Sequence, residues 1–445
     1  MRRQPNPQIR PEDALTAWDA AVPVAGLAPV TAHCTLVTPM YGGGVKPGEV
    51  DREMPIRPST VRGQLRFWWR LRYGGGRPSR AVFRDESELW GGISGDKPQA
   101  SRVALQVRAA PIESSQLIKS RERRDFPAYS LILDKDDVPD VLAPGYEFDL
   151  TLRFDRQTKP AQRTQVVEAL RWWASFGGVG ARTRRGLGAV AVTSDVADVK
   201  PVSREEVAER GGELSLQPRA EPITAWKRAV EALRDFRQGP GVGRNPGSRP
   251  NRPGRSRWPE SDAIRRLTGQ WTPRHEPRHP VEDLYPRAAF GLPMVFHFKD
   301  RDDPKGPNDK GPTLVPKAPE GSSAKDPDRM ASPLILRPYF DGAGYCPLAL
   351  LLPGWRDRVS ISVGFDPQSM PSAGQQDSRK SEWPAFPAWP PEPGERQEKA
   401  EQIEPLREWG RDVLSAFMHY FEHGSQRAHR ERTRGDRTRP QRGRR

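Results

Sequence analysis

Residues Tyr146–Phe154 alternate without a slip: Tyr146, Phe148, Leu150, Leu152 and Phe154 point one way, and Glu147, Asp149, Thr151 and Arg153 the other. Successive side chains of a strand leave opposite faces, so this segment dictates a sheet with one apolar side that something must cover. The sequence supplies the cover. Pro160 opens a helix that runs to Phe176, with Val166, Leu170 and Trp173 as its apolar stripe. Earlier, Ser59 or Thr60 can cap a helix that reaches Tyr73 and stops at Gly74-Gly75-Gly76, with Val61, Leu65 and Trp68 on its buried side. Thr31–Thr38 reads as a strand that puts Ala32, Cys34 and Leu36 on one face and His33, Thr35 and Val37 on the other. Further strands are expected at 103–108, 128–133 and 189–193. The order is that of the ferredoxin-like (RRM-like) βαββαβ plan, in which two helices cover one face of an antiparallel sheet.

A second unit of the same kind is expected over 223–423. Its helices are 223–236 and 405–423, the latter carrying Leu406, Trp409, Val413, Phe417 and Tyr420 as one stripe. Its strands are 288–298, 333–340, 347–352 and 359–365. The 48 prolines are concentrated around these elements. The fold class expected is therefore α+β: two ferredoxin-like domains with long Pro/Arg-rich loops and a basic C-terminal tail. Residues 1–30 form a lead, 31–194 the first domain with its glycine-rich loop, and 195–222 a linker. Within 223–423, the stretches 237–258, 300–328 and 366–400 are expected to be disordered insertions, and 424–445 is an Arg-rich tail.

Two cysteines, Cys34 and Cys346, exclude a disulfide framework and a Cys-based zinc site. No apolar run approaches the length of a membrane span, and no apolar region follows Met1-Arg2-Arg3-Gln4-Pro5, so no membrane partner and a cytoplasmic location are expected. The formal charge of +15 points to a polyanion partner. Most of it sits in 1–10, 237–258 and 424–445, so the core has to be judged by local pattern. Tails of that composition are commonly solvated segments with a generic affinity for nucleic acid.

Three constellations could carry function. Between Arg57 and Arg84 lie eight arginines and no acid or lysine. Arg62, Arg66 and Arg70 fall on one helix face, at about one turn each; the alternatives are an RNA contact, with Arg57 adding to it, or a solvated face. The second is Gly177–Gly188, with five glycines and Arg182, Arg184 and Arg185. Gly178, Gly180 and Gly186 would let backbone donors approach phosphates while the arginines add charge. Helix, loop, strand is the reverse of a nucleotide-cofactor site, and a Walker lysine is missing, so no cofactor is expected; a tight turn that merely needs glycines is the other reading. The third is Tyr41–Lys46, which opens a loop holding Lys46, Glu49, Asp51, Arg52 and Glu53. It is a surface loop unless Asp51 serves chemistry. His33 could act as a general base, or simply pack. Arg274–His279 has a two-histidine spacing, but Pro277 prevents the helix that usually presents such a pair, so no metal is expected.

Thr38–Gly44, then Ile56–Arg70, then Gly177–Gly188 between second helix and last strand, together resemble the RAMP superfamily of CRISPR-associated proteins; Ala331–Arg337 resembles a further strand of that family. The pattern is most similar to the head subunit of type III-B (Cmr) effectors. The resemblance implies two ferredoxin-like domains and a non-catalytic RNA-binding subunit at the guide 3′ end of an antiviral CRISPR complex. It implies guide RNA, target RNA and other Cmr/RAMP subunits as partners. Lys46, Arg57, Arg62, Arg66, Arg70, Gly178, Gly180, Arg182, Arg184, Arg185 and Gly186 are then the RNA-binding candidates. Alternatives are another type III head subunit, or a RAMP-type endoribonuclease using Asp51, which lies in a loop comparable to that of the family's cleaving subunit, or His33.

Overall fold

The computed structural model describes residues 27–46, 48–94, 97–119, 140–195, 197–247, 254–298, 311–319, 322–370 and 385–424. The strand expected at 128–133, most of the N-terminal lead, the tail beyond 424 and parts of the three insertions lie outside the described residues. Strands β1 (Val30–Leu36), β2 (Val103–Ala109), β3 (Glu147–Phe154) and β4 (Val190–Thr193) form one sheet in the order β2-β3-β1-β4, antiparallel throughout. Helices α1 (Pro58–Tyr73), α2 (Ser79–Trp90) and α3 (Pro160–Phe176) accompany it. Alternation decides which face is covered. Cys34 pairs across with Phe148 and Val192, and Val30, Ala32, Cys34, Leu36, Phe148, Leu150 and Leu152 are buried with Val61, Leu65, Trp68, Val166, Leu170 and Trp173. The α1 cap differs from expectation: Arg57 is the N-cap and Pro58 begins the helix, because proline's fixed φ suits the first turn. Helix α2, unforeseen, follows the glycine stop directly.

The second half departs further from the expected plan. Residues 195–222 are more than a linker. Ser203 caps the short helix α4 (Arg204–Glu209), its Oγ accepting from Glu206 N while Glu206 Oε2 accepts from Ser203 N at 2.8 Å. Strand β5 (Glu213–Leu216) follows. Helix α5 (Pro222–Gln238) then lies on a three-stranded sheet of order β5-β7-β6, where β6 is Leu334–Phe340 and β7 is Tyr345–Leu351. Strand, helix, strand, strand matches the expected order, but among the described residues no fourth strand joins this sheet. Ser362–Phe365 pairs instead with Thr313–Pro316 and Phe386–Pro387 in a separate sheet. Its Val363 and Phe365 bury against Leu314 and Tyr285. Pro286 opens a 3-10 turn where a strand was expected, and the pairing that remains is Met294–Val295 with a bridge from Leu292 to Met330.

Two other expectations need correction. The stretch 237–258 is built into the fold where it is described: Arg257 donates to Asn245 Oδ1 at 2.8 Å and to the Gly241 carbonyl at 2.7 Å, and pairs with Glu404 at 2.8 Å. Likewise, the helix Pro393–Glu401 begins inside the third insertion and runs to its end. The helix expected over 405–423 is broken. Glu404–Trp409 ends at Gly410, whose φ of +159° only glycine adopts readily. Asp412 then caps Val413–His419 by accepting from Leu414 N and Ser415 N.

The layers explain the unbroken hydrophobicity of β6 and β7. Ile335 and Tyr339 face the first half, Tyr339 stacking on Phe176 with ring centroids 5.9 Å apart. Leu334 and Leu336 face α5, joining Trp226 and Leu233. Helices α1 and α3 thus lie between two sheets, and a sheet buried on both sides reads as continuous rather than alternating. Cys34 is buried, which pushes its thiol up to about 12, so it stays protonated. No helix among the described residues is long and apolar enough to cross a membrane.

Trp68 and Trp173 are 1% and 0% exposed. Trp68→Ala or Trp173→Ala should each cost about 3–5 kcal/mol, read as a lowered urea midpoint at unchanged slope.

Candidate nucleic-acid interface

The glycine-rich loop meets the loop after β1. Tyr41 and Ala181 form an isolated bridge, Ala181 N donating to the Tyr41 carbonyl at 2.7 Å. Thr38 is fully buried between them; its Oγ1 donates to Gly186 O at 2.6 Å and accepts from Ala189 N at 2.8 Å. Gly180 has a φ of +78°, and a Cβ there would sit 2.6 Å from the Tyr41 carbonyl oxygen. At Gly178 a Cβ would lie 2.7 Å from Gly188 O. These glycines permit backbone-on-backbone packing, and so serve the turn itself rather than leaving room for a phosphate.

The three loop arginines separate. Arg182, in the left-handed region at φ 58°, is exposed and lies over the Tyr41 ring at 5.7 Å. Arg184 and Arg185 turn inward to the second half. Arg184 donates to the Ser332 carbonyl, and Arg185 to the Leu334 carbonyl at 3.0 Å. Trp226 Nε1 returns a bond to the Arg185 carbonyl at 2.7 Å, directly beside Gly186. From the opposite direction Arg337, 2% exposed, donates to the carbonyls of Gly177, Val190 (3.2 Å) and Pro338 (2.9 Å). Burial pulls its guanidinium down to about 10, which leaves it charged at neutral pH. The loop is therefore a seam between the halves as well as a surface.

The arginine face of α1 does not lack acids. Arg66 Nε and Arg70 Nη1 both bond Glu86 Oε1, at 2.6 and 2.7 Å, and the Glu86 side chain is 2% exposed. Arg62 donates to the carbonyls of Trp90 (3.4 Å) and Val103 (3.2 Å). Asp85 pairs with Arg77 and Arg84. The acid-free stretch ends at Arg84, and the missing partners are the next two residues, folded back by α2. Arg57 bonds Asp51 at 2.7 Å, while Asp51 Oδ1 accepts from Glu53 N and Met54 N. The Arg57 hydrogen bond, with help from Met54 N, holds that carboxyl below the usual carboxylate range. The premise of an unpaired ladder is thus corrected for Arg57, Arg66 and Arg70; Lys46, 77% exposed, makes only a loose 3.6 Å pair with Glu49.

Among the other candidates, His33 Nδ1 lies 2.7 Å from Asp149 Oδ1 on the uncovered sheet face, both side chains about half exposed. His275 bonds Thr272 Oγ1, and His279 Nδ1 accepts from Val281 N. Among the described residues no three His, Cys, Asp or Glu side chains converge as a metal site would require. Sequence reasoning missed Glu86 and Arg337. The first was signalled by an acidic pair at the end of the arginine run, the second by an arginine inside an apolar strand, a placement that demands buried partners.

Residues 33–191 match the family model described as the RAMP superfamily. No curated protein matches the chain. Among solved structures, Cmr1 from Pyrococcus furiosus in its apo form is similar at 14% identity and a TM-score of 0.40, covering 81% of this chain and 94% of that one. A chain of the type III-B Cmr-beta complex bound to cognate target RNA is similar at 12% identity and a TM-score of 0.39, covering 73% and 94%. A chain of a type IV-B CRISPR complex covers 40% and 94%, at 13% identity and a TM-score of 0.29.

Two substitutions check the seam and the face. At Gly186, with φ +78°, a Cβ would lie 2.5 Å from Trp226 Cδ1 and 2.7 Å from Leu336 O. Gly186→Ala should cost about 2–5 kcal/mol, measured by chemical denaturation. Glu86→Gln should cost about 1–3 kcal/mol; an unchanged midpoint would show that the two arginines do not depend on it.

Proposed function

We propose, from a first half that carries a RAMP-superfamily domain over 33–191, that the protein is a non-catalytic RNA-binding subunit of a type III CRISPR effector. In this reading it is a head subunit of a Cmr complex, with guide RNA, target RNA and neighbouring RAMP subunits as its partners. The observation that carries it is the junction of the two loops. The family match covers both, and their packing against each other leaves Lys46 and Arg182 exposed.

The RNA-facing set is then smaller than the arginine count suggests. Lys46, Arg182 and the outer part of Arg70 meet phosphates. Arg57, Arg62 and Arg66 shape the loop and helix behind them; Arg184 and Arg185, with Gly178, Gly180 and Gly186, hold the loop against its neighbours. Phosphate contacts of this kind are indifferent to base sequence. The non-catalytic assignment is supported by Asp51, whose carboxylate is committed to Arg57 and two backbone donors. The two halves, the first with a ferredoxin-like order of elements and the second with its strand-helix-strand-strand part, would supply one continuous surface rather than two independent modules.

Lys46→Ala with Arg182→Ala should flatten the salt dependence of single-stranded RNA binding by about 1.4, two contacts at about 0.7 each. Both side chains are exposed, so the double variant should stay folded, which a melting curve beside the parent's checks. Filter binding over a salt series checks this; an unchanged slope removes the junction from the interface. Purified full-length protein should leave the RNA intact with or without magnesium, and His33→Ala and Asp51→Ala should bind as the parent does. Cleavage abolished by either variant would make the endoribonuclease reading correct instead.

A further inference from the structure

A cleft of about 460 Å³ opens where the two halves meet. Phe67 and Leu71 of α1 form one wall. The turn after β7, with Trp355 and Arg358, forms the other, and Arg329 lies on the segment that leads into β6. Arg184 reaches in from the glycine-rich loop, its guanidinium 5.9 Å above the Phe67 ring.

The charges here are unbalanced. Three guanidinium groups line the cleft, against one carboxylate, Asp357. Arg329 and Arg358 are exposed, and neither makes a hydrogen bond or ion pair with any described residue. Arg184 spends one N–H on the Ser332 carbonyl. Burial, and then the charge of Arg358, pulls Arg184 below its ordinary value. Like charges gathered at a half-enclosed site favour an anion, which guanidinium groups bind as a planar fork. The walls narrow the choice of anion. An aromatic face and a leucine beside the cations suit a flat apolar group attached to a phosphate, and the volume falls within the range of small-ligand pockets, about 300–1,000 Å³. Nucleobases stack on aromatic rings and on guanidinium planes regardless of sequence.

We propose that this cleft seats one nucleotide of an RNA strand, its phosphate against Arg329 and Arg358 and its base against Phe67. The assignment rests on the RNA-binding reading above, but it uses residues outside that reading's RNA-facing set. A free nucleoside monophosphate shares the same chemistry, so the test separates the two.

The full chain is titrated calorimetrically with AMP, adenosine and inorganic phosphate, and by filter binding with a labelled single-stranded RNA across a salt series. Arg329→Ala/Arg358→Ala is compared with Phe67→Leu and with the parent. The two arginines bond nothing described, so the double variant should keep the parent's melting temperature. AMP is expected to bind the parent more tightly than either fragment and to compete with the RNA. The double variant should lose AMP binding, weaken RNA binding about tenfold or more, and flatten the salt slope by about 0.7. Phe67→Leu should weaken AMP but leave phosphate unchanged. If the parent binds RNA and the double variant binds it equally well, the cleft is not an RNA site, and the loop-junction reading stands. If the parent binds AMP through these arginines but no RNA, the ligand is a free nucleotide and both RNA assignments fall. Phosphate binding as tight as AMP would overturn the base contact.

Discussion

Arg337 carries a positive charge into a place from which water is almost wholly excluded. Such a charge is tolerable only when most of its donors are met. The carbonyls of Gly177, Val190 and Pro338 meet them. Two of those oxygens belong to the first half, one at the end of α3 and one on the edge strand β4, while the guanidinium belongs to a strand of the second half. The two sheets therefore cannot slide without stranding the charge. Phe176 stacked on Tyr339, and Trp226 bonded to the Arg185 carbonyl, fix the same alignment from either side. The loop junction and the cleft both follow from that alignment, because each is lined by residues that the seam holds in place.

The arginines divide into two populations by what they address. One is aimed inward at main-chain oxygens or at Glu86, and serves folding. The other, with Lys46, Arg182, Arg329 and Arg358 as its described members of interest, is aimed at solvent. A formal charge of +15 thus overstates what a ligand meets at the folded surface. Guanidinium suits both duties, having five donors in a rigid fork that match carbonyl, carboxylate and phosphate oxygens alike.

The first sheet was legible because its strands alternate and its helices carry clean stripes; Cys34, Phe148, Leu170 and Trp173 sit where their periodicity puts them. The second half resisted for identifiable reasons. Strands β6 and β7 are buried on both faces and lose the alternation that marks a sheet side. Ser362–Phe365 has strand character but no local signal for which sheet it joins. The Gly410–Asp412 break was readable in principle, as a glycine followed by a capping residue, but the apolar stripe runs on through it. At the candidate site, sequence gave the residue types and not their direction. Arg182 and Arg184 are two positions apart, yet one faces solvent and the other crosses to Ser332. Likewise Glu86 became visible only when a glycine stop turned α2 back onto α1.

Arg184, Arg185 and Arg337 each reach across the seam to a peptide oxygen, and Gly186 approaches a peptide oxygen as well. Peptide oxygens are the same whatever side chain the residue bears. A position that contributes only its carbonyl, as Ser332 does to Arg184, can therefore change its side chain without loosening the joint. The donors have no such freedom, whether they lie in the glycine-rich loop or, like Arg337, within β6 itself. The burden of keeping the halves together falls on the donors, and the mutational tolerance of a joint built this way should be lopsided to match: permissive at Ser332, unforgiving at Gly186 and Arg337.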